Sequence, residues 1–478
     1  MNHDNPSGRD KPLGPRGAPL ATHSVTLEDA QLGRSLAILV AATGWTRTSR
    51  KIADLLRRRI RRFRKSYIRW RERRAARLAD SSFAQSPAAP QLPIAPPPKR
   101  DGVLFIGYAE AALGLGEAFR SLLTALARTS IPFAIYPFNV NVETRRIGPF
   151  LQERYDREGR YDVNVAYMAT DQLPLALREL GPQRTAASYN ILRTYWELPR
   201  APAAWAPLLE NVQELWAPSA FVADAFRDVF RGSIAIIPPC VTVERQTRYE
   251  RAHFSMNEGR FYYLFSFDYY SRAVRKNPLG VLRAFSAAFP DRREDVGLVI
   301  KSTGPTKLAR DVAAQIKAAA RKDARIVVIE SSVSRDEVLS LIEQSDCYVS
   351  LHRSEGFGLG MAEALAFGKP VIGTDFSGAT DFLSAETGYP VPFTLRKLTS
   401  GEYFAGEGQS WAEPDPGAAV EIMRRVFYDR AENARRGAAG KALVESRYGY
   451  DSVARVVTER LQEIQNERAR ATAAVTEV

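Results

Sequence analysis

From Gly102 onward, short apolar runs rich in β-branched and aromatic residues alternate with longer runs of helical spacing, in two successive blocks. Few folds accommodate that pattern, because strand–helix repetition builds parallel sheets covered by helices. In the first block "VLFIGY", "FAIYPF", "DVNVAYM", "YNILRTY", "ELWAP" and "IAIIPP" read as strands. "GLGEAFRSLLTAL" and "SAFVADAFRDVF" read as helices, the latter with Ser219 as N-cap. Residues Pro238 to Arg260 break the rhythm and read as a linker. The second block runs through strand "FYYLFSF", helix "PLGVLRAFSAAF", strand "VGLVIKS", helix "KLARDVAAQIKAAARK", strand "RIVVIE" and helix "RDEVLSLIEQ" to strand "DCYVSL". Helical spacing dominates from about Pro416 to Arg470. The expected fold class is therefore α/β: one βα domain over 101–245, a second over 259–440, and helices at 441–470 crossing back to the first domain. A cleft between two such domains is a common ligand site.

The stretch "SLHRSEGFGLGMAEALAFGKPVIGT", Ser350 to Thr374, carries the most chemistry. It follows a strand, passes through Gly356, Gly358 and Gly360, enters a helix closed by Gly368, and ends in a second strand. Ligands of open parallel sheets sit at the carboxyl ends of strands, before helix N-termini. Free N–H groups and the helix dipole there favour an anion, and glycine lets the backbone approach a phosphate closely. Two acids, Glu355 and Glu363, flank the same turn. A carboxylate repels phosphate, so these acids fit hydroxyl groups, as on a ribose or hexose. First-turn glutamates and glycine turns are also common for purely structural reasons, and the spacing alone is a weak signal.

A chain of 478 residues, 45% of them hydrophobic, supports two to three domains with sizeable cores. The two cysteines, Cys240 and Cys347, lie in or beside apolar runs, which excludes a disulfide framework and fits a reducing compartment. The longest apolar run, "LAILVAATGW" at Leu36 to Trp45, is too short to span a bilayer, and "MNHDNPSGRDKPLGPRGAPL" lacks the apolar core of a secretory signal. The net charge of +13 is unevenly spread: residues 1–100 hold 21 Lys and Arg against 7 Asp and Glu, the remainder 46 against 47. Residues 1–100 thus read as a basic N-terminal extension, partly disordered and partly helical. Its first thirty residues are Gly- and Pro-rich. Residues 50–79 hold 14 basic side chains and two acids, with Ile52, Leu56, Ile60, Phe63, Tyr67 and Trp70 on one helical face. A Pro-rich linker follows at 84–99. A basic amphipathic helix of this kind suits an anionic membrane surface. The near-neutral body offers no extended basic groove for nucleic acid.

Several segments in order resemble one family. "TYWELPRAP" (Thr194–Pro202), "LWAPSAFV" (Leu215–Val222), "RKNPLGVLRAF" (Arg275–Phe285), the E-x7-E element of Glu355 and Glu363, and "WAEPD" (Trp411–Asp415) together resemble retaining glycosyltransferases of family 4, also called group 1. The resemblance covers about residues 101–465 and implies the GT-B fold, with two Rossmann-like domains facing across a cleft. It implies that Glu355 binds hydroxyls of the donor sugar and Glu363 the nucleotide ribose. Backbone N–H groups of Phe357, Gly358 and Leu359 would face the sugar and diphosphate. Lys276 would neutralise the leaving diphosphate, with Glu355 and Lys276 as the catalytic pair. Where many relatives have an arginine six residues before that lysine, this chain has Tyr270, leaving Arg272 or Arg275 for the second phosphate contact. Lys301 and His352 are further donor-side candidates. On the acceptor side stand Gly114, Gly116 and Glu117 of "GLGE", with Trp196 and Glu197; the last two read equally well as core and cap.

The resemblance implies transfer of a hexosyl group, mannosyl or rhamnosyl by the character of "HRSEGFGL", from a nucleoside diphosphate sugar to a glycan or lipid-linked acceptor in bacterial surface polysaccharide assembly. Residence is expected in the cytoplasm or on the inner face of the cytoplasmic membrane. No cofactor or metal is expected: the cleft segments hold no Asp-x-Asp motif, and a cation with a helix N-terminus can stabilise a leaving diphosphate. The alternatives are a nucleotide-sugar epimerase or glycan phosphorylase of the same fold, or a non-catalytic membrane-associated sugar-nucleotide-binding protein. A nicotinamide-dependent dehydrogenase is disfavoured, because no G-x-G-x-x-G with a following acid marks the first strand of either block.

Overall fold

The computed structural model describes residues 97–111, 113–140, 147–304 and 309–476, with side chains through 470. The expectations for the disordered leader, the basic helix 50–79 and nearly all of the 84–99 linker lie outside the described residues.

The first block folds as six parallel strands: β1 (Val103–Gly107), β2 (Phe133–Pro137), β3 (Val163–Tyr167), β4 (Tyr189–Arg193), β5 (Glu214–Ala217) and β6 (Ser233–Ile236). Their order is β2-β1-β3-β4-β5-β6. Both faces of β1 and β3 are covered, and all five residues of each are buried, which is why these strands read as continuous apolar runs. Helices α1 (Gly114–Leu126), α2 (Leu173–Leu180), α3 (Pro182–Thr185) and α4 (Ala220–Phe226) connect them. Ser219 caps α4 as expected, its hydroxyl accepting from Val222 N–H.

The second block forms strands β7 (Phe261–Phe267), β8 (Val296–Ser302), β9 (Ile326–Glu330), β10 (Cys347–Ser350), β11 (Val371–Thr374) and β12 (Tyr389–Val391), ordered β12-β11-β10-β7-β8-β9. Its helices are α5 (Ala273–Lys276), α6 (Pro278–Ala288), α7 (Arg310–Lys322), α8 (Arg335–Gln344) and α9 (Leu359–Ala366). Strand order reverses between β7 and β10, so the connections leaving these neighbours run to opposite sides and open a crevice at their carboxyl ends. In the first sheet the same reversal lies between β1 and β3. The α/β expectation of two Rossmann-like sheets across a cleft is met.

An antiparallel hairpin, β13 (Phe393–Lys397) with β14 (Ser410–Pro414), was not expected from the sequence. Its Leu398 and Trp411 belong to the hydrophobic cluster of the first domain, beside Trp196 and Trp205. Three helices follow: α10 (Pro416–Tyr428), α11 (Arg430–Tyr448) and α12 (Tyr450–Thr476). On α12, Val453, Ala454, Val457, Leu461 and Ile464 recur every three or four residues and pack into the first domain's cluster with Phe119 and Trp216. The same helix sends Arg460 to Glu214, with nitrogen–oxygen distances of 3.0 and 2.8 Å. Trp216 Nε1 and Tyr189 Oη also donate to the fully buried Glu214. Among the described residues no helix is long and apolar enough to cross a membrane.

Removing one partner of a buried ion pair leaves a charge without compensation. Arg460→Ala should therefore lower stability by about 3 kcal/mol, read as an earlier urea midpoint. Arg227→Ala, which breaks the exposed 2.8 Å pair with Asp224, should leave the midpoint nearly unchanged.

Candidate active site

The crevice between β7 and β10 brings two loops together. From β7 the chain runs through Asp268, whose carboxylate accepts from Tyr270 N–H, into the single turn of α5. Two residues flanking that turn, Arg272 (φ 66°) and Asn277 (φ 56°), adopt the left-handed conformation. Asn277 caps α6 at Gly280 N–H and donates to Leu351 O, tying this loop to the end of β10. Between the two kinks Arg275 and Lys276 turn toward the second loop, which carries His352, Glu355 and the glycines.

Glu355 sits where those loops meet. Lys276 Nζ donates to one carboxylate oxygen at 2.5 Å and Arg275 Nη1 to the other at 2.9 Å. Arg275 Nη1 also donates to Ser354 O at 2.7 Å. Burial works against the charge of Glu355, but the two cations outweigh it and hold the carboxyl well below the usual carboxylate range. Burial, with Arg275 alongside, brings the Lys276 ammonium below its ordinary value against the pull of Glu355. Arg275 carries a second acid, Glu197 of the first domain, at 3.8 Å, and Tyr403 Oη donates to that acid at 2.5 Å.

Arg275 is thus enclosed in the Glu355 cluster. Arg272 is half-buried at the same loop, with no side-chain hydrogen bond or ion pair among the described residues. Tyr270, at the position where relatives have arginine, is 73% exposed. Lys301 is the last residue but one of β8, opposite Ser266; burial lowers its ammonium pKa, against the pull of Asp268 and Glu337. His352 is fully buried, with Nε2 3.3 Å from Phe376 O and Nδ1 3.2 Å from the Ser350 hydroxyl. Nδ1 is also 3.2 Å from Ser350 O, and burial lowers the pKa of the ring. His352 therefore fastens the segment after β11 beneath the glycine loop.

The glycine loop is packed from both sides. Gly358, at φ 101°, turns the chain into α9. The Phe357 side chain is buried against Phe382 and Tyr448, ring centroids 5.1 and 5.4 Å away. A Cβ on Gly378 would stand 2.3 Å from Gly356 O, so only glycine allows that approach. From the first domain, Ser219 Oγ donates to Gly356 O at 2.7 Å. At the start of α9, Met361 N–H and Ala362 N–H donate to Gly358 O at 3.0 and 3.2 Å, and the N–H groups of Leu359 and Gly360 precede any intrahelical acceptor.

Glu363 projects from α9, 3% exposed. Arg335 Nη1 lies 2.6 Å from its Oε1, a charge contact rather than an aligned hydrogen bond, and that oxygen has no hydrogen-bond partner among the described residues. Burial raises the pKa of Glu363, Arg335 lowers it and Glu117 raises it. Glu117 stands on α1 across the cleft, 2.7 Å from Arg120 and 3.5 Å from Arg335. Of the preceding glycines, Gly116 is required by its surroundings: a Cβ there would meet Ala111 O at 2.6 Å, whereas at Gly114 nothing lies within 4 Å. Trp196 is buried, donates from Nε1 to Arg200 O and packs on Trp205 and Tyr403, so its side chain is core.

The structure thus gathers Glu355, Lys276, Arg275, Glu197 and His352 in one cluster, and Glu363 and Glu117 in another around Arg335. Arg335 and Tyr403 were missed by sequence reasoning. Arg335 looks like a first-turn surface charge in "SRDE", and Tyr403 lies in a glycine-rich stretch that reads as loop; no local signal marks either.

Residues 259–396 match the family described as glycosyl transferases group 1, a span that holds Arg272, Arg275, Lys276, Lys301, Arg335, His352, Glu355 and Glu363. The acceptor-side candidates Gly114 to Glu197 lie outside it. No curated protein gives a significant match. Among solved structures, sucrose-phosphate synthase from Thermosynechococcus elongatus is similar at 16% identity and TM-score 0.55, over 77% of this chain and 100% of that one. A glycosyltransferase from Rickettsia africae aligns at 14% identity and TM-score 0.54, over 77% and 99%. HepE of Anabaena, solved with UDP and glucose, aligns at 13% identity and TM-score 0.53, over 76% and 100%. At such identities the likeness is one of fold, and the fold is GT-B.

Proposed function

We propose that this chain, which has the GT-B fold and a group 1 glycosyltransferase segment at 259–396, transfers a hexosyl group from a nucleoside diphosphate sugar to a glycan or lipid-linked acceptor, retaining the anomeric configuration and using no metal. The observation that carries the reading is Glu355 buried and held ionised between Lys276 and Arg275, at the mouth of a glycine loop that opens a helix. That arrangement offers an acceptor for sugar hydroxyls directly beside cations and N–H groups suited to a diphosphate.

In this reading the ribose meets the buried Glu363 carboxylate, whose Oε1 also faces Arg335 at 2.6 Å. The diphosphate lies before α9 and draws Lys276, with Arg272 as the second cation. The bond between the anomeric carbon and the phosphate oxygen breaks through an oxocarbenium-like state. The acceptor oxygen bonds the same carbon on the same face, and its proton passes to the departing phosphate oxygen. Lys276 and the helix N-terminus stabilise the negative charge that develops there.

For the donor we infer a mannosyl or rhamnosyl nucleotide used in bacterial surface polysaccharide assembly; UDP-hexoses belong in the same assay, since HepE is solved with UDP and glucose. The basic segment 50–79, with its apolar Ile52–Trp70 face, supports docking on the inner face of the cytoplasmic membrane. Full-length protein should then co-sediment with anionic but not neutral vesicles, and a form beginning near Lys99 should not; equal binding by both forms would contradict docking.

Steady-state kinetics with a panel of GDP, UDP and dTDP sugars test the site. Glu363→Ala should chiefly raise the donor KM and Glu355→Ala chiefly lower kcat, each by roughly 10- to 150-fold, the worth of a charged hydrogen bond. Lys276→Ala should weaken binding of the bare nucleoside diphosphate, and a chelator should leave wild-type turnover intact. Wild-type kinetics in both glutamate variants would remove the assignment.

A further inference from the structure

Arg335 holds a position that the chemistry above leaves unused. It is the first residue of α8, where Ser334 Oγ accepts from Glu337 N–H and Glu337 Oε2 accepts from Ser334 N–H. This reciprocal cap fixes the backbone, and the side chain leaves the first turn toward α9 rather than toward solvent. Its guanidinium meets three elements: Glu363 Oε1 on α9 at 2.6 Å, Glu117 Oε1 on α1 at 3.5 Å, and Thr242 O in the interdomain segment at 3.4 Å. Only 27% of the side chain is exposed.

The groups facing Glu363 are few. Arg335 comes from α8 and Glu117 from α1, Glu117 itself being paired with Arg120. From β10, Tyr348 lies in the field of both Glu363 and Glu355. On the α11 side, Gly437 and Gly440 pack against Gly368 and Leu365. Arg335 is therefore the cation against Glu363. Without it, a carboxylate removed from water would face a second carboxylate, and such a group takes up a proton.

Resting on the donor site described above, we propose that Arg335 is a positioning residue for the donor: it keeps Glu363 an ionised acceptor for the ribose and ties that acceptor, through Glu117, to the first domain across the cleft. Donor binding and cleft geometry are then coupled through one guanidinium.

The sign of the pH effect follows. Burial and Glu117 already raise the pKa of Glu363 against the pull of Arg335, so removing Arg335 raises it further. Ribose binding that needs the carboxylate is then lost as pH falls through that higher pKa. The test is calorimetric titration of the full chain with UDP-glucose and GDP-mannose, whose diphosphates carry no proton in the window from about pH 5.5 to 8.5. Arg335→Met should bind roughly tenfold more weakly at neutral pH, with the gap from wild type widening as pH falls. Arg335→Lys, which keeps the charge, should show no such widening. Arg335→Gln carries the same expectation as Arg335→Met should that variant not fold, and melting temperatures identify a folding failure. A Met or Gln variant that binds like wild type, or loses the same factor at every pH, overturns the proposal while leaving the donor site standing. Wild-type protein that binds no member of the GDP, UDP and dTDP sugar panel overturns both.

Discussion

A carboxylate withdrawn from water is the constraint around which the second domain is arranged. Glu355 is 7% exposed, and moving an ion of that size out of water costs several kcal/mol even after relaxation. It stays ionised because Arg275 and Lys276 occupy its two oxygens. Those cations lie some eighty residues away in the chain, at the end of β7. They reach Glu355 because β7 and β10 are neighbours at the point of strand-order reversal. The left-handed residues Arg272 and Asn277, each a conformation that non-glycine residues adopt at a cost of order 1 kcal/mol, turn consecutive side chains into the crevice. Strain in that loop is offset by the cluster it completes.

The same cluster organises the cleft. Gly356, next to Glu355, accepts from Ser219 of the first domain, and Ala220 N–H donates to Asp381. Arg275 approaches Glu197, which Tyr403 of the hairpin side also holds. Contacts between the two domains thus run through the Glu355 loop, through Arg275 and Glu197, and through Arg335, which faces both Glu363 and Glu117.

The alternation of strands and helices was legible because parallel strands covered on both faces must be continuously apolar. "VGLVIKS" and "RDEVLSLIEQ" coincide with β8 and α8 residue for residue, and Ser219 caps α4 as its side chain suggested. Glu355 and Glu363 stood out as acids flanking a glycine turn before a helix, a weak signal that the resemblance to a family sharpened, and Lys276 stood out through that resemblance alone. What stayed hidden depends on distance in the chain. Nothing near Arg335 announces a carboxylate 28 positions on, and nothing in "SGEYFAGEGQS" announces a tyrosine packed on Trp196. The hairpin β13–β14 was missed because Phe393–Lys397 is half exposed and lacks the apolar run that marks the buried strands. The choice between Arg272 and Arg275 needed the ion pairs themselves, since both are one charge in the same short loop.

The claim that this cleft holds a nucleoside diphosphate sugar with Glu355 at the sugar and Glu363 at the ribose is tested most directly by a crystal structure of the protein with UDP or GDP bound. The expected result places the ribose hydroxyls within about 3 Å of the Glu363 carboxylate and the diphosphate before Leu359, with Lys276 drawn from Glu355 to a phosphate oxygen. A nucleotide bound elsewhere, or one in this cleft whose phosphates lie away from Lys276 and the glycine loop, would contradict it.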